Sequence, residues 1–582
     1  MLPKKLSIKE QNGIASIETF VNEAKWYPRF DEVFEHSQLS GPVTDDQVVD
    51  YETVAHRVST ALVAPTDGMP LIEHIVDLVN SHCMTQAATL LVDNLQLLFE
   101  TVSNTELQDF FTTLATASPL PNTDFLYSEA LFLIRVDQFE KGIAQLQQAQ
   151  IAYWHAKQDA SAIRCLVEIA RAYFNQENFH MAIRYLTVEA KPLLDQSTRI
   201  DDSVRADFLL QMANLATDTG QLDTSAHYAK HALALYVETE NLYGQFRAQL
   251  RIARNFMQCG HYPEANARLQ LIRQYLHIGK LGPTSEGLLL NAEIHLRWYQ
   301  YRLDEALRLS HLYLKLADHE QLTYGQLYAR ILLANLYREK QDYWRAEQWY
   351  DEAERHLKEV NYHFYLPWVD AQRAWLFILQ GGLKVASTYC TRALQTNDWG
   401  QRMSFQVEKA VLNLLEGEFK HAEALLKQSL TFYEKSGDPL ASSAIRIYLA
   451  YAAMQRQDTT GLLRYLQEGF GSMARLELDV LPYWWHPQLV AEVCCQAIVA
   501  DVHLTTVKSI LVQRIGRHGA PALTKLLTAD DIDIREEAQQ LLGTVTGQNM
   551  TVLAHREDGP AKQVLQDHLA RGRLRLDGYV RL

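Results

Sequence analysis

Tyr328–His356 reads YARILLANLYREKQDYWRAEQWYDEAERH, and this stretch decides the fold. Ile331, Ala334 and Leu336 give one helix an apolar stripe at helical spacing, which ends near Lys340-Gln341-Asp342. A second stripe follows at Tyr343, Ala346, Tyr350 and Ala353. The pair reads as two antiparallel helices in close contact. Small residues are needed at that contact, because two helix axes approach to about 8–10 Å only where side chains let the backbones close. Tyr343 and Tyr350 fill the space beside it. Each pair buries only one face alone, so it must stack on copies of itself.

Those copies are present. The anchor recurs at Ala130, Ala170, Ala213, Ala253, Ile294, Ala334, Ala374 and Ala410. Nine residues after each stands Phe139, Phe179, Leu222, Tyr262, Leu303, Tyr343, Leu383 or Phe419. Three further on comes Gly142, Ala182, Ser225, Ala265, Ala306, Ala346, Ala386 or Ala422. Successive aromatic or leucine members lie 40, 43, 40, 41, 40, 40 and 36 residues apart. A fixed period in this range marks a solenoid, and the internal spacing coincides with that of the tetratricopeptide repeat. The expected fold is therefore all-α, a right-handed α-solenoid of tetratricopeptide-like helix pairs with a period of about 40 residues. Ala450, Thr459, Leu462 and Leu466 suggest a ninth, weaker unit.

Outward from the array the pattern changes. Residues 1–65 do not fit the repeat, and 66–123 hold a helical entry in which Ala87 and Ala88 are the small contact. The array occupies 124–480 and ends before the aromatic, proline-broken LPYWWHPQL at Leu481. Residues 481–545 resemble a single HEAT repeat, in which an aspartate near Asp531 caps the second helix and Arg535 braces the neighbouring unit. The tail, 546–582, alternates apolar and basic residues around Asp577-Gly578, a hairpin signal.

The chain carries 55 basic and 70 acidic residues, a net charge of −15, which argues against general nucleic-acid binding and gives anionic membranes no attraction. No apolar run reaches the length of a membrane span, and the first residues lack the apolar core of a secretory signal. The six cysteines are scattered through apolar stripes and read as reduced thiols of a cytoplasmic protein. The sequon Asn549-Met550-Thr551 has no meaning in such a compartment.

The order of parts resembles the sensor arm of MalT-type bacterial transcription regulators of the signal-transducing ATPase group. Trp26-Tyr27-Pro28-Arg29-Phe30-Asp31-Glu32-Val33-Phe34 is similar to the aromatic stretch that closes their winged helix, and Leu71 to Phe99 is similar to the entry of their arm. The resemblance implies a sensor in transcriptional control or signalling, and makes 1–65 a winged-helix remnant. Two departures stand out. There is no GxxxxGK[ST] to cradle a phosphate, and no helix-turn-helix follows the arm. What remains works through a partner, or is a piece of a longer product.

No catalytic constellation emerges. His227 and His231 lie four apart on a helix, but Tyr228 stands where a zinc protease needs glutamate, and two histidines on a helix face suffice as a reading. No CxxC, GxSxG, HExxH or GxGxxG occurs. No cofactor is expected.

Register supplies the functional expectation. In a tetratricopeptide superhelix the first helix of each pair lines the concave surface, and the residue after the contact alanine points into it. That row is Arg171, Asn214, Arg254, His295, Asn335 and Trp375; one turn later stand Phe174, Thr217, Met257, Trp298, Arg338 and Ile378. Earlier on the same helices lie Arg164, Arg247, Tyr328 and Trp368. Such a groove can hold an extended peptide, a protein partner or a small effector, and its binding should fail in Arg171→Glu and Arg254→Glu. The alternatives are a scaffold subunit bridging components of a larger complex, such as a defence or protease assembly, and a cryptic enzyme.

Overall fold

The computed structural model describes residues 68–117, 122–196, 200–279, 281–360, 362–396 and 399–547. The segment 1–65 with its WYR-like stretch, the sequon and the C-terminal hairpin signal lie outside these residues. Three entry helices, α1 (Gly68–Asn80), α2 (Met84–Thr101) and α3 (Asn104–Ala117), lead into nine helix pairs. These are α4 (Thr123–Arg135) with α5 (Phe139–His155), α6 (Asp159–Asn175) with α7, and α8 (Asp202–Asp218) with α9 (Leu222–Glu238). Next come α10 (Leu242–Gln258) with α11 (Tyr262–Gly279), α12 (Pro283–Tyr299) with α13 (Leu303–His319), and α14 (Thr323–Glu339) with α15 (Tyr343–Glu359). The last three are α16 (Leu366–Leu379) with α17 (Leu383–Ala393), α18 (Trp399–Leu415) with α19 (Phe419–Ser436), and α20 (Pro439–Gln455) with α21 (Thr459–Arg475). Helix α7 starts as Phe179–Arg184, passes through a π-helical turn at Tyr185–Ala190 and ends as Lys191–Gln196.

The 40-residue period has a simple origin. Most helices are 17 residues long and three residues separate them, so α12 to α15 begin at Pro283, Leu303, Thr323 and Tyr343. The short α17, 11 residues, accounts for the one spacing of 36. Most of the turns between them reverse through one residue in the left-handed region, among them Asp137, Gln341 and Gly381. The turn after α4 closes as a Schellman motif: Gln138 N–H donates to Leu133 O at 2.8 Å and Asp137 N–H to Ile134 O at 3.2 Å. Caps are placed at the following helix; Asn241, Asp342, Asp438 and Asp458 each accept from a backbone N–H of the first turn.

The small contact residues are fully enclosed. Ala334, Ala346 and Ala353 have no exposed surface. At Gly142 an added Cβ would fall 2.7 Å from Ile134 Cγ1 and 2.9 Å from Ala130 O, so the first unit tolerates nothing larger than glycine there. Tyrosines of second helices reach back to polar groups of first helices: Tyr153 to Asp124 at 2.5 Å, Tyr236 to Asp207 and Tyr350 to Asn335, both at 2.6 Å.

Successive superhelical turns touch. Glu100, between α2 and the fifth pair, accepts from Gly282 N–H at 2.5 Å and from Ser285 Oγ at 3.2 Å. Tyr365 Oη donates to Asn175 O at 3.2 Å, Gln401 bonds Glu177, and Tyr299 and Tyr483 share a hydroxyl contact at 3.3 Å. These partners are 182 to 224 residues apart, so about five pairs complete one turn.

Beyond α21 the chain is irregular until α22 (Pro487–Val499), then α23 (Leu504–Ser509), a π-helical stretch Ile510–Ile515, a 3-10 turn Gly516–Gly519, α24 (Ala520–Leu526) and α25 (Ile532–Thr546). Asp531 caps α25, accepting from Asp533 N–H at 2.8 Å. Arg535 departs from the HEAT expectation: it donates to Ala529 O and Asp530 O, at 2.6 and 2.9 Å, in its own preceding turn. Side chains that reach the array are Arg514, bonded to Tyr301 Oη at 2.6 Å and Glu339 at 2.9 Å, and His518, whose Nε2 lies 3.1 Å from Gln341 Oε1.

Candidate functional site

The middle of the inner face is built by α10, α12, α14 and α16. Tyr324 and Tyr328, four apart on α14, stack with ring centroids 5.3 Å apart, and Tyr328 stacks on Trp368 of α16 at 5.5 Å. His295 of α12 stands 6.0 Å from Tyr328, Trp298 and Tyr299. Tyr324 remains 39% exposed although aromatic neighbours surround it, so this wall is reached by solvent. Arg254 of α10 completes it, donating to Asn291 Oδ1 at 3.3 Å.

The protonation of His295 follows from its partners. Its Nδ1 lies 2.8 Å from Asn291 O, an atom that only accepts, so Nδ1 carries the hydrogen. Burial, with the Arg254 charge acting in the same direction against the Asn291 bond, pushes its pKa down to about 4. At neutral pH it is therefore uncharged and Nε2 is an acceptor. The wall thus offers stacking surfaces, one imidazole acceptor and one guanidinium, a set suited to holding a ligand by orientation and hydrogen bonding.

The expected row divides by exposure. Arg171, Asn214, Arg254 and His295 are partly exposed, as are Trp298 and Tyr328. Arg171 is ion-paired with Glu168, while Asn214 accepts from Arg251 Nε at 2.8 Å and donates to Gln211 at 3.1 Å. Asn335 and Trp375 are corrections: both are buried. Asn335 is consumed by the Tyr350 hydroxyl, and Trp375 joins the apolar core with Ala374 and Ile378. The row one turn later also turns inward at Thr217, Met257, Arg338 and Ile378. Three residues advance a helix by about 300°, some 60° short of a full turn, which carries that row under the adjacent pair.

Sequence reading missed Tyr324, Tyr299, Asn291 and Tyr483. Tyr324 carried a usable signal, lying one helical turn before Tyr328. Tyr483 had none, since it reaches Tyr299 across 184 residues. His227 and His231 sit with ring centroids 4.1 Å apart, and among the described residues no group of three metal-ligating side chains forms. None of the described helices is long and apolar enough to cross a membrane.

No protein-family model matches the sequence, and no curated protein does. Solved structures are similar in their helical-repeat fold. A Rap protein complexed with competence and sporulation factor is 14% identical, covering 70% of this chain and 99% of its own, with a TM-score of 0.41. A signal-transduction ATPase with a tetratricopeptide repeat sensor from Pyrococcus horikoshii is 15% identical over 60% of this chain and 52% of its own, with a TM-score of 0.36. The Cut9–Hcn1 hetero-tetramer of the APC/C gives 12% identity, 84% and 93% coverage and a TM-score of 0.42. The chain is an all-α solenoid of tetratricopeptide-like helix pairs.

Proposed function

We propose that this solenoid is a non-enzymatic sensor or adaptor that holds an extended peptide segment of a partner protein on its inner face, in bacterial transcriptional regulation or signalling. The observation that carries the reading is the solvent-reached wall of Tyr324, Tyr328, Trp368 and His295 around Arg254. Aromatic faces supply contact area at low entropic cost, and the histidine acceptor and guanidinium fix a peptide's polar groups. Random-peptide display on the immobilised full chain tests it. Enriched peptides should bind Tyr328→Ala and Trp368→Ala about tenfold or more weakly, each ring contributing an interface anchor. A selection that enriches nothing, or peptides indifferent to both substitutions, would sink the inner-face reading.

The scaffold alternative draws on a separate observation. Trp344 on the outer helix α15 is 67% exposed, and Ile151 and Trp154 on α5 are also open. Large apolar side chains on outward helices suit a flat protein contact.

A further inference from the structure

Helix α10 carries Arg247, Arg251 and Arg254 at positions i, i+4 and i+7, which fall on one helix face. Like charges so spaced destabilise a helix unless something opposes them. Elsewhere in this chain arginines are routinely neutralised: Arg171 by Glu168, Arg373 by Asp351 and Glu354, Arg514 by Glu339. Among the described residues, none of the α10 triad takes an ion pair, and their hydrogen-bond and ring contacts are to neutral groups. Arg247 rides the Tyr243 ring, 5.6 Å from its centroid. Arg251 donates to Asn214 and Arg254 to Asn291, both through amide oxygens.

The carboxylates around the triad are engaged with other groups or stand off. Asp207 accepts the Tyr236 hydroxyl at 2.6 Å, and Glu168 holds Arg171. Asp218 of α8 is within electrostatic reach of Arg251 and Arg254 without pairing with either. Burial, together with the like charges of Arg254 and Arg247 and against a partial offset from Asp218, lowers the Arg251 pKa to about 10. Asp218 at Arg251, and Asp207 and Glu168 at Arg247, thus offset the repulsion only from a distance, and among the described residues no carboxylate pairs with any of the three, although the chain carries a net charge of −15.

Resting on the peptide reading above, we propose that the ligand segment is acidic, with Asp or Glu carboxylates seated on Arg247 and Arg254 beside an aromatic or aliphatic residue on the Tyr328–Trp368 wall. Guanidinium forks match carboxylates bidentately, and an anion here relieves the repulsion that folding leaves in place. Arg251 sits behind Asn214, adding charge and holding that amide.

The test uses the same random-peptide selection on the full chain. Enriched peptides should be richer in Asp and Glu than the starting library, and their Kd should weaken as salt rises. Replacing their acidic residues by Gln or Asn should weaken binding about tenfold or more, as should Arg247→Gln and Arg254→Gln in the protein. Arg254→Lys should recover part of the loss, and thermal melts of each variant report folding. Peptides that bind, respond to Trp368→Ala, yet carry no acidic bias and ignore both arginine substitutions would overturn this inference while leaving the inner-face reading intact. A selection that enriches nothing would overturn both. A uridine oligonucleotide that displaces the peptides and binds more tightly than they do would also overturn the acidic-peptide assignment.

Discussion

His486 closes the first turn of α22: its Nδ1 accepts from Leu489 N–H at 3.4 Å, while its own N–H donates to the Tyr448 hydroxyl at 3.0 Å. Only 5% of its surface is exposed, and burial, with His518 nearby, pushes its pKa down to about 4. A histidine whose folded pKa lies below its unfolded value of about 6.5 contributes fully above that value. Stability is then lost as pH falls from 6.5 towards 4, by up to about 3 kcal/mol. Asp137, Asp370 and Asp438, each raised to about 6 chiefly by burial, act oppositely, lowering stability as pH rises between the unfolded and folded values. The difference between parent and variant is therefore the diagnostic. His486→Asn keeps a cap acceptor and cannot titrate, so its melting temperature should gain on the parent's as pH falls through that window. Parallel curves would refute the protonation argument. At the same scale, Ala346→Leu overpacks a contact with no exposed surface and should cost about 1–3 kcal/mol in chemical denaturation; unchanged stability would mean the repeat register is wrong. The small residue at that position was legible because its spacing repeats. The burial of His486 was not, because it depends on Tyr448 and His518 from other helices.

Between helices, the turns show why element boundaries were harder to read than element identity. The apolar stripes of α14 and α15 are written in the sequence, but the turn residue Gln341 adopts φ 63° without being the glycine that would announce it. Asp137, Lys157, Glu177 and Gln457 do the same, and only some turns, such as that at Gly381, use glycine. The 17-residue helix with a three-residue turn imposes the conformation, so the local signal is free to vary. Left-handed backbone costs an ordinary residue about 1–2 kcal/mol, part of which a glycine loses again through unfolded-chain entropy. Gln457→Gly, at an exposed turn with φ 59°, should therefore stabilise by up to about 1 kcal/mol. Gly381→Ala, where a Cβ meets nothing within 4 Å, should destabilise by about 1 kcal/mol from backbone strain alone. Urea titrations that move both variants in the same direction would show that side-chain contacts, not the shared turn geometry, set these ends.

At the scale of the whole molecule, stacking of one superhelical turn on the next is the part that no local pattern carried. Nothing about Glu100 marks it for the backbone of Gly282, where an added Cβ would fall 1.8 Å from Glu100 O. Nor does Arg514 announce Glu339, 175 residues away. Yet the inner wall depends on this closure, since Tyr483 and Glu177 approach Tyr299 and Tyr324 only across turns. Arg514 is a charged tie of this kind. It is 8% exposed, bonded to Tyr301 and Glu339, and lies 4.0 Å from the Tyr301 ring centroid. Removing one partner of a buried pair strands the other charge, so Arg514→Met should cost about 3–5 kcal/mol. Adding Glu339→Gln removes the stranded charge and should restore part of that loss. Small-angle scattering below the unfolding transition should give a larger radius of gyration for Arg514→Met than for the parent, as the cap releases the turn beneath it. A variant that loses stability with an unchanged radius would mean that the apolar contacts between turns hold the closure and that Arg514 only stabilises the cap.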